Sequence, residues 1–307
     1  MSVFFTALNQ ESLLNLQGPD ALSFLQGQAT GDTAALSTRK ALPALICTPQ
    51  GRVVADLMCH LTGADQLQIR VRASVAEILC DHLKKYILFS KAELTPVGDW
   101  VMAGCYGDNA ADTIAAIVGE VPQEQYARCQ TPDGYVMQLD TEGKMFECYA
   151  KADSAMLTAI SAACTAGSDA QWQALTVDQG LARIEAEQSG EYVPQNLNFD
   201  LTGHISFTKG CYTGQEVVAR LHYKGKSKKR VLPAVSSGTL PDDCDTLLDT
   251  DSGKPVATII NRSNDSDNNS HLLLYMKPEI DIAAASCEAE PALHFSALPL
   301  PYTISAD

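Results

Sequence analysis

The chain has 307 residues, 46 % hydrophobic and 19 % charged, a composition that supports a folded core without disulfides or metals. With 37 acidic and 22 basic side chains its formal charge is −15, which excludes long-range attraction to nucleic acid or anionic membrane except where basic residues cluster. Ten cysteines are scattered without a CxxC pair, no apolar run reaches the roughly 20 residues of a membrane span, and the opening MSVFFTALNQES lacks a basic n-region, so a cytoplasmic protein with reduced thiols is expected.

In chain order, Gly18-Pro19-Asp20 before ALSFLQG reads as a helix start with proline at the first helical position, ended by Gly27 or Gly31. Residues 44–72 read as strands. The run holding Val53, Val54, Leu57 and Met58 is apolar enough to be buried, and LQIRVR alternates, with Leu67, Ile69 and Val71 inward and Gln68, Arg70 and Arg72 toward solvent. ASVAEILCDHLKKYIL is the clearest helix, with Ser74 and Glu77 as a capping box. Strand character returns over 91–105, helices are expected over 110–118 and 152–166, and strands near 134–139 and 145–150. Ser168 and Gln171 suggest a capping box for a helix carrying Trp172, stopped by Gly180. From Leu232 short apolar runs alternate with turn-rich segments, which predicts a small all-β domain; the polar stretch 261–270 reads as a solvated hairpin loop. The first 230 residues mix strands and helices in α+β fashion.

The chemistry concentrates in KGCYTGQE, residues 209–216. Ile205, Ser206 and Phe207 read as the end of a strand, and Thr213 with Glu216 as a capping box that opens a helix through QEVVARLHYKG. Cys211 then lies just before a helix N-terminus and two residues from Lys209, both of which favour thiolate over thiol. A reactive thiol and a merely packed one remain equally open on these grounds. Lys209, Arg220, Lys224, Lys226, Lys228, Lys229 and Arg230 face only Glu216, a local surplus that suits RNA phosphates or a polyanionic small ligand. Trp172 reads as core or as a flat-ligand contact. Asp178 and Glu185 are candidate acids for a nitrogen-rich ring, and Asp56, in an apolar strand, requires a partner or a cavity. No histidine pattern of a metal site and no nucleotide-binding glycine fingerprint occurs.

KGCYTGQE closely resembles the signature of the YgfZ family of folate-binding proteins, relatives of the glycine-cleavage T-protein. FLQGQATGD (24–32), LKKYILFSK (83–91), SGEYVPQNLN (189–198) and PLPY (299–302) fall in that family's order. The resemblance implies a GcvT-like α+β ring: two interleaved α+β subdomains over residues 1–230 and a C-terminal β-barrel over 231–307. It implies tetrahydrofolate or another reduced folate as cofactor, and iron–sulfur, radical-type tRNA-modifying enzymes as partners, with direct tRNA contact open through 220–230 and no membrane. Cys211 matches the functional cysteine, with Lys209 and Tyr212 as its catalytic neighbours in the motif. Trp172, Asp178, Asp56, Glu185, Gln215, Glu216 and Arg220 are the folate-contact candidates. Asp178 stands where the aminomethyltransferases carry a pterin-binding glutamate, and Ala55 breaks the acidic pair that Asp56 would complete. Some relatives carry tryptophan near the position of Glu11. The resemblance thus implies an accessory factor in iron–sulfur assembly or repair, with folate-dependent aminomethyl transfer as the alternative.

Overall fold

The computed structural model describes residues 2–225 and 227–304. Its elements are β1 (Phe4–Ala7), β2 (Glu11–Gln17), α1 (Ala21–Gln28), β3 (Leu42–Cys47), β4 (Val53–Gly63), β5 (Gln66–Arg72), α2 (Ala73–Ile87), β6 (Glu93–Pro96), β7 (Trp100–Tyr106), α3 (Ala110–Val118), β8 (Arg128–Thr131), β9 (Gly134–Gln138), β10 (Met145–Lys151), α4 (Ala155–Ala163), β11 (Thr165–Ala166), α5 (Asp169–Asp178), α6 (Gln215–Lys224), β12 (Arg230–Ser236), β13 (Thr246–Asp249), β14 (Pro255–Asn264), β15 (Ser270–Met276), β16 (Ala285–Ser286) and β17 (Phe295–Ala297). They form two compact units. One comprises Met1–Asp169, Ile184–Gly190 and Gly203–Gln215; the other Ala170–Arg183, Glu191–Thr202 and Glu216–Asp307.

The first unit is α+β. One sheet has the strand order β11-β1-β7-β10-β9-β8, the other β3-β4-β5-β2-β6. Alternation along β10 shows how the first sheet is used on both faces. Phe146, Cys148 and Ala150 enter an apolar cluster with Ala110 and Ile114 of α3 and Met156, Leu157 and Ile160 of α4. Glu147 and Tyr149 point the other way, toward the second sheet, whose remaining face is covered by α2 through Val75, Leu79 and Leu83.

Between the sheets lies a charged layer. Arg72 donates to Glu11 at 3.1 Å, Arg70 lies 3.5 Å from Glu11 and 3.4 Å from Glu147, and Tyr149 donates to Glu147. Tyr135 donates to Gln68 at 2.8 Å, and Arg128 lies 4.0 Å over the Tyr135 ring while donating to the Leu61 carbonyl. Burial opposes the charge on Arg70, but Glu147 and Glu11 outweigh it and hold its pKa well above the usual value. His60, packed against Tyr135 and Tyr149, is kept well below its usual pKa by burial and then by Arg128 and Arg70. Glu11 is thus held in this layer by two arginines, Arg70 and Arg72.

This layer corrects the reading of LQIRVR. Arg70 and Arg72 are 4 % and 3 % exposed and Gln68 is buried, because the polar face of β5 meets a second sheet and not water. The expected caps change too. α1 opens at Ala21 after Asp20, which leaves Pro19 outside it, and α2 has no side-chain cap, since Ser74 donates to Glu185 at 2.5 Å.

The second unit carries one antiparallel sheet, β16-β13-β14-β15-β12-β17, that curls into a nearly closed barrel. Its interior is apolar, with Leu247, Ala257, Leu272, Leu274, Met276 and Phe295 among the buried residues. Register irregularities beside Leu247 and Ile259 bend the strands, as bulges do. The polar stretch expected to be a loop over 261–270 is shorter than read: 261–264 continues β14, and only 265–269 is loop. Asn261 is buried and accepts from Arg183 N at 2.9 Å while donating to Arg183 O at 2.8 Å. A side chain that reads as solvated loop is thus a clamp on backbone.

Candidate functional site: a presented thiol and its anchors

Residues 205–207 form no strand; Ser206 N donates to the Thr30 carbonyl at 3.0 Å. Lys209 follows and is buried. Its ammonium donates to the carbonyls of Gln26, Ala29 and Gly31 at 2.8, 2.6 and 2.7 Å, around the C-terminal end of α1. Burial pushes Lys209 down to about 8, and Asp32 opposes that shift. Tyr212 is buried as well, with the Lys209 ammonium 5.2 Å from its ring centre. Thr213 N donates to Gly27 O at 3.2 Å, and its hydroxyl donates to the Gln28 side chain at 3.0 Å. Gly214 takes φ 85°, where a Cβ would lie 2.5 Å from the Thr48 carbonyl oxygen, so this corner admits no side chain.

Two expectations change here. Lys209 is not aimed at the sulfur, because its three N–H bonds are spent on main-chain carbonyls. Thr213 does not cap α6, because the helix opens at Gln215 and the hydroxyl points to Gln28. What the segment achieves is presentation. Both flanks of Gly210-Cys211 are tied to the 26–31 turn, and of ten cysteines Cys211 is the only one classed as exposed. Buried thiols differ: desolvation pushes Cys47 and Cys59 up to about 12. The FLQGQATGD and KGCYTGQE stretches are thus tied together, the first supplying mostly carbonyls and the second the donors.

A second group in the same unit forms around residues 184–190. Asp56 is buried and accepts from the Ile184 amide at 2.8 Å. Glu185 binds Arg72 Nε at 2.8 Å, which continues the charged layer outward through Arg72 to a carboxylate whose side chain is 28 % exposed. Ser189 donates to Val54 O and Gly190 N to Val53 O. The structure therefore brings Asp56, Glu185 and Arg72 together at one end of the layer.

In the other unit, α5 carries Trp172 and Asp178. Trp172 is sealed at 1 % exposure. Asp178 is half-buried and its Oδ1 lies 2.6 Å from His271 Nδ1, with Asp265 at 3.3 Å from the other ring nitrogen. The Asp178 hydrogen bond raises the His271 pKa, against the effect of burial. After α5, Gly180 at φ 64° leaves room for Leu300 and Tyr302; the Tyr302 hydroxyl donates to Gly180 O at 2.7 Å and accepts from Asn198 at 3.2 Å. The SGEYVPQNLN and PLPY stretches thus share contacts that hold backbone. Of the basic residues after Glu216, Arg230 is committed to Asp200 at 2.6 and 3.0 Å, and Lys226 lies outside the described residues. Glu216, Arg220, Lys224 and Lys228 are exposed, Gln215 is half-buried, and Tyr223 is 67 % exposed beside His222. Among the described residues no group of three or more His, Cys, Asp or Glu could hold a metal, and no helix is long and apolar enough to cross a membrane.

An α+β unit of two sheets, a curled antiparallel sheet and a cysteine held up by two anchors define the class of the glycine-cleavage aminomethyltransferase fold. The GCVT N-terminal domain model matches residues 4–138, and the glycine cleavage system aminomethyltransferase T of Bartonella henselae superposes with a TM-score of 0.74 at 14 % identity, covering 98 % of this chain and 86 % of that one. The tRNA-modifying protein YgfZ of Yersinia pseudotuberculosis is 31 % identical over 225 residues, 73 % of this chain and 68 % of that protein; its counterpart in Yersinia enterocolitica is 30 % identical over the same shares. The chain belongs to the YgfZ family.

Proposed function

We propose that this protein is a cytoplasmic, reduced-folate-binding accessory factor in tRNA modification that supports iron–sulfur enzymes through Cys211. Residues 1–230 form its folate-binding region and 231–307 an appended β-domain. The observation that carries the reading is selective presentation: Cys211 alone among ten thiols is exposed, and its neighbours Lys209 and Tyr212 are spent on holding the loop. The relatives' name as tRNA-modifying proteins and the aminomethyltransferase fold support the class.

The residues present fit a reduced folate. A pteridine's N–H edge needs a carboxylate acceptor, and Asp178 is a half-exposed one held in place by His271; Glu185, braced by Arg72, is another. Trp172 is sealed on the helix that carries Asp178. Bound tetrahydrofolate would supply a carrier for a one-carbon unit. Cys211 offers its sulfur to an iron–sulfur client, and Asp56 positions the 184–190 segment through the Ile184 amide. That commitment of Asp56 counts against the alternative, aminomethyl transfer, in which an acid of this strand would serve the reacting amine.

Cys211→Ser tests the reading. In cells lacking the protein it should fail to restore tRNA methylthiolation, while the purified variant binds tetrahydrofolate as tightly as the parent. Full restoration would remove the thiol from the function, and loss of all folate affinity in the parent would remove the cofactor. A second reading, direct RNA contact, is favoured by the exposed Tyr223 beside Arg220 and Lys224, a stacking ring among cations. With Lys228 as a third cation, RNA affinity should fall with salt at a log–log slope of about −2.

A further inference from the structure

Val75, Leu79 and Leu83 of α2 are buried, but the two residues that follow the helix are bare: Leu88 is 73 % exposed and Phe89 95 %. Lys84 and Lys85 in the last turn of α2 and Lys91 just past the tip are exposed as well. Residues 82–92 thus hold three lysines and no carboxylate, in a chain of formal charge −15. Lys85 lies 5.1 Å from the Tyr86 ring centre, and none of the three lysines is held in an ion pair among the described residues.

Ser90 and Lys91 also line a surface hollow of about 630 Å³, together with Gln17, Asp65, Gln66 and Glu93. Its walls are tied together. Gly18 N donates to Asp65 O at 2.9 Å, the Asp20 carboxylate accepts from Lys91 N at 2.7 Å, and Asp20 N donates to Lys91 O at 3.3 Å. A row of amides is ordered at the edge. Gln66 donates to Asn15 at 3.0 Å and Asn15 donates to Gln17 at 3.0 Å, which leaves the Gln17 amide nitrogen and the Gln66 amide oxygen unspent among the described residues. We propose that this tip and hollow form a contact for single-stranded RNA, with one base stacked on Phe89, the edge of a neighbouring base held in the hollow, and phosphates met by Lys84, Lys85 and Lys91.

Two apolar side chains are too few for the roughly 1,200 Å² of a stable protein interface. One exposed ring is nevertheless a full platform for one base, and stacking on it tolerates any base. The lysines supply the positive charge that the rest of the surface withholds from a polyanion. The hollow offers what a base edge needs and a phosphate does not: a donor at Gln17, an acceptor at Gln66, and the carboxylates of Asp65 and Glu93, which accept from ring N–H and amino groups and repel phosphate. Unpaired bases free to leave a stack are chiefly those of RNA loops and ends. Phe89 directly precedes Ser90, so the stacked base and the held base are neighbours along the strand. The contact lies in the first unit, apart in sequence from Tyr223 and the cations after Glu216, and it rests neither on them nor on folate or Cys211.

The test is fluorescence anisotropy of the full chain with a short labelled single-stranded RNA of mixed sequence. Phe89→Ala should weaken binding about 5-fold or more. Lys84→Gln combined with Lys85→Gln should make the log–log salt slope shallower by about 1.4. Gln17→Ala combined with Gln66→Ala should weaken binding about 2-fold or more without changing that slope. All these positions are exposed, so the variants should melt like the parent, and the same losses should appear in a Tyr223→Ala background. Inorganic polyphosphate should compete poorly against the RNA. The proposal is overturned if the parent binds no RNA, if Phe89→Ala binds as tightly as the parent, or if polyphosphate competes as well as unlabelled RNA, which would leave a charge effect alone. Adsorption to vesicles of phosphatidylcholine and phosphatidylglycerol that Phe89→Ala abolishes while RNA affinity stays unchanged would assign the tip to a lipid surface and equally overturn it.

Discussion

The layer between the sheets of the first unit and the interior of the C-terminal sheet are both buried, yet they are assembled differently. The first holds Glu11, Arg70, Arg72 and Glu147 in a chain of contacts between 3.1 and 3.5 Å. The second holds leucines, alanines and a pair of thiols. An apolar interior is non-directional, so neighbouring residues can repack around a change of shape. A buried charge is directional and leaves its partner stranded when it is lost. The first unit is therefore held to one strand register by its ions, and the second by volume and by bulges.

The largest effect expected from this contrast is at Arg70. Arg70→Met leaves Glu11 and Glu147 facing each other's layer without their shared cation and should destabilise the protein by about 3–5 kcal/mol. Adding Glu147→Gln should recover part of that loss, because the stranded charge is then reduced. Chemical denaturation of the two single variants and the double variant gives the coupling energy directly. A cost below about 1 kcal/mol for Arg70→Met, the range of an exposed pair, would show that the layer is hydrated and would remove the contrast.

Next is Leu274, fully buried in the C-terminal sheet. Leu274→Ala should cost about 2–5 kcal/mol through lost burial and the cavity left behind. The loss should not vary with pH, and Leu274→Met should recover most of it. The same kind of conservative exchange is not available to Arg70, since lysine lacks the planar fork that reaches two carboxylates. A marked pH dependence of the Leu274→Ala loss would mean that ionisable groups reach this interior.

How much of this is legible in the sequence follows the same division. The α2 helix, α3 over 110–118 and the strands around 134–139 and 145–150 can be read because apolar spacing reports one covered face. What spacing cannot report is what covers the polar face. Arg70 and Arg72 alternate like solvent-facing residues, and only the second sheet makes them internal. Asn261 reads as loop for the same reason, since its partner is the Arg183 main chain. In the candidate site, the thiol motif is legible by composition. The role of Lys209 is not, because its acceptors are the carbonyls of Gln26, Ala29 and Gly31, and a carbonyl carries no residue-type signature. The reciprocal anchoring of FLQGQATGD and KGCYTGQE could have been suspected only from their shared abundance of glycine and small polar residues.

The smallest and most specific effect expected is at His271, a charged contact at the margin of the apolar interior of the C-terminal sheet. Its pKa is raised in the folded protein, chiefly by Asp178, above the reference value of 6.5 that the unfolded chain adopts. The folded state thus holds the proton more tightly than the unfolded one. The stabilisation is fully present below pH 6.5 and is lost as pH rises through the raised folded value. His271→Asn should accordingly lower stability by about 1 kcal/mol in mildly acidic buffer and by progressively less in alkaline buffer. Asp178→Asn should flatten the same pH profile while leaving Leu274→Ala additive with it. Thermal melts of parent and variants across that range provide the measurement. A difference between parent and His271→Asn that stays constant with pH would mean that the imidazole is neutral beside Asp178 and adds no charge at the margin of the apolar sheet.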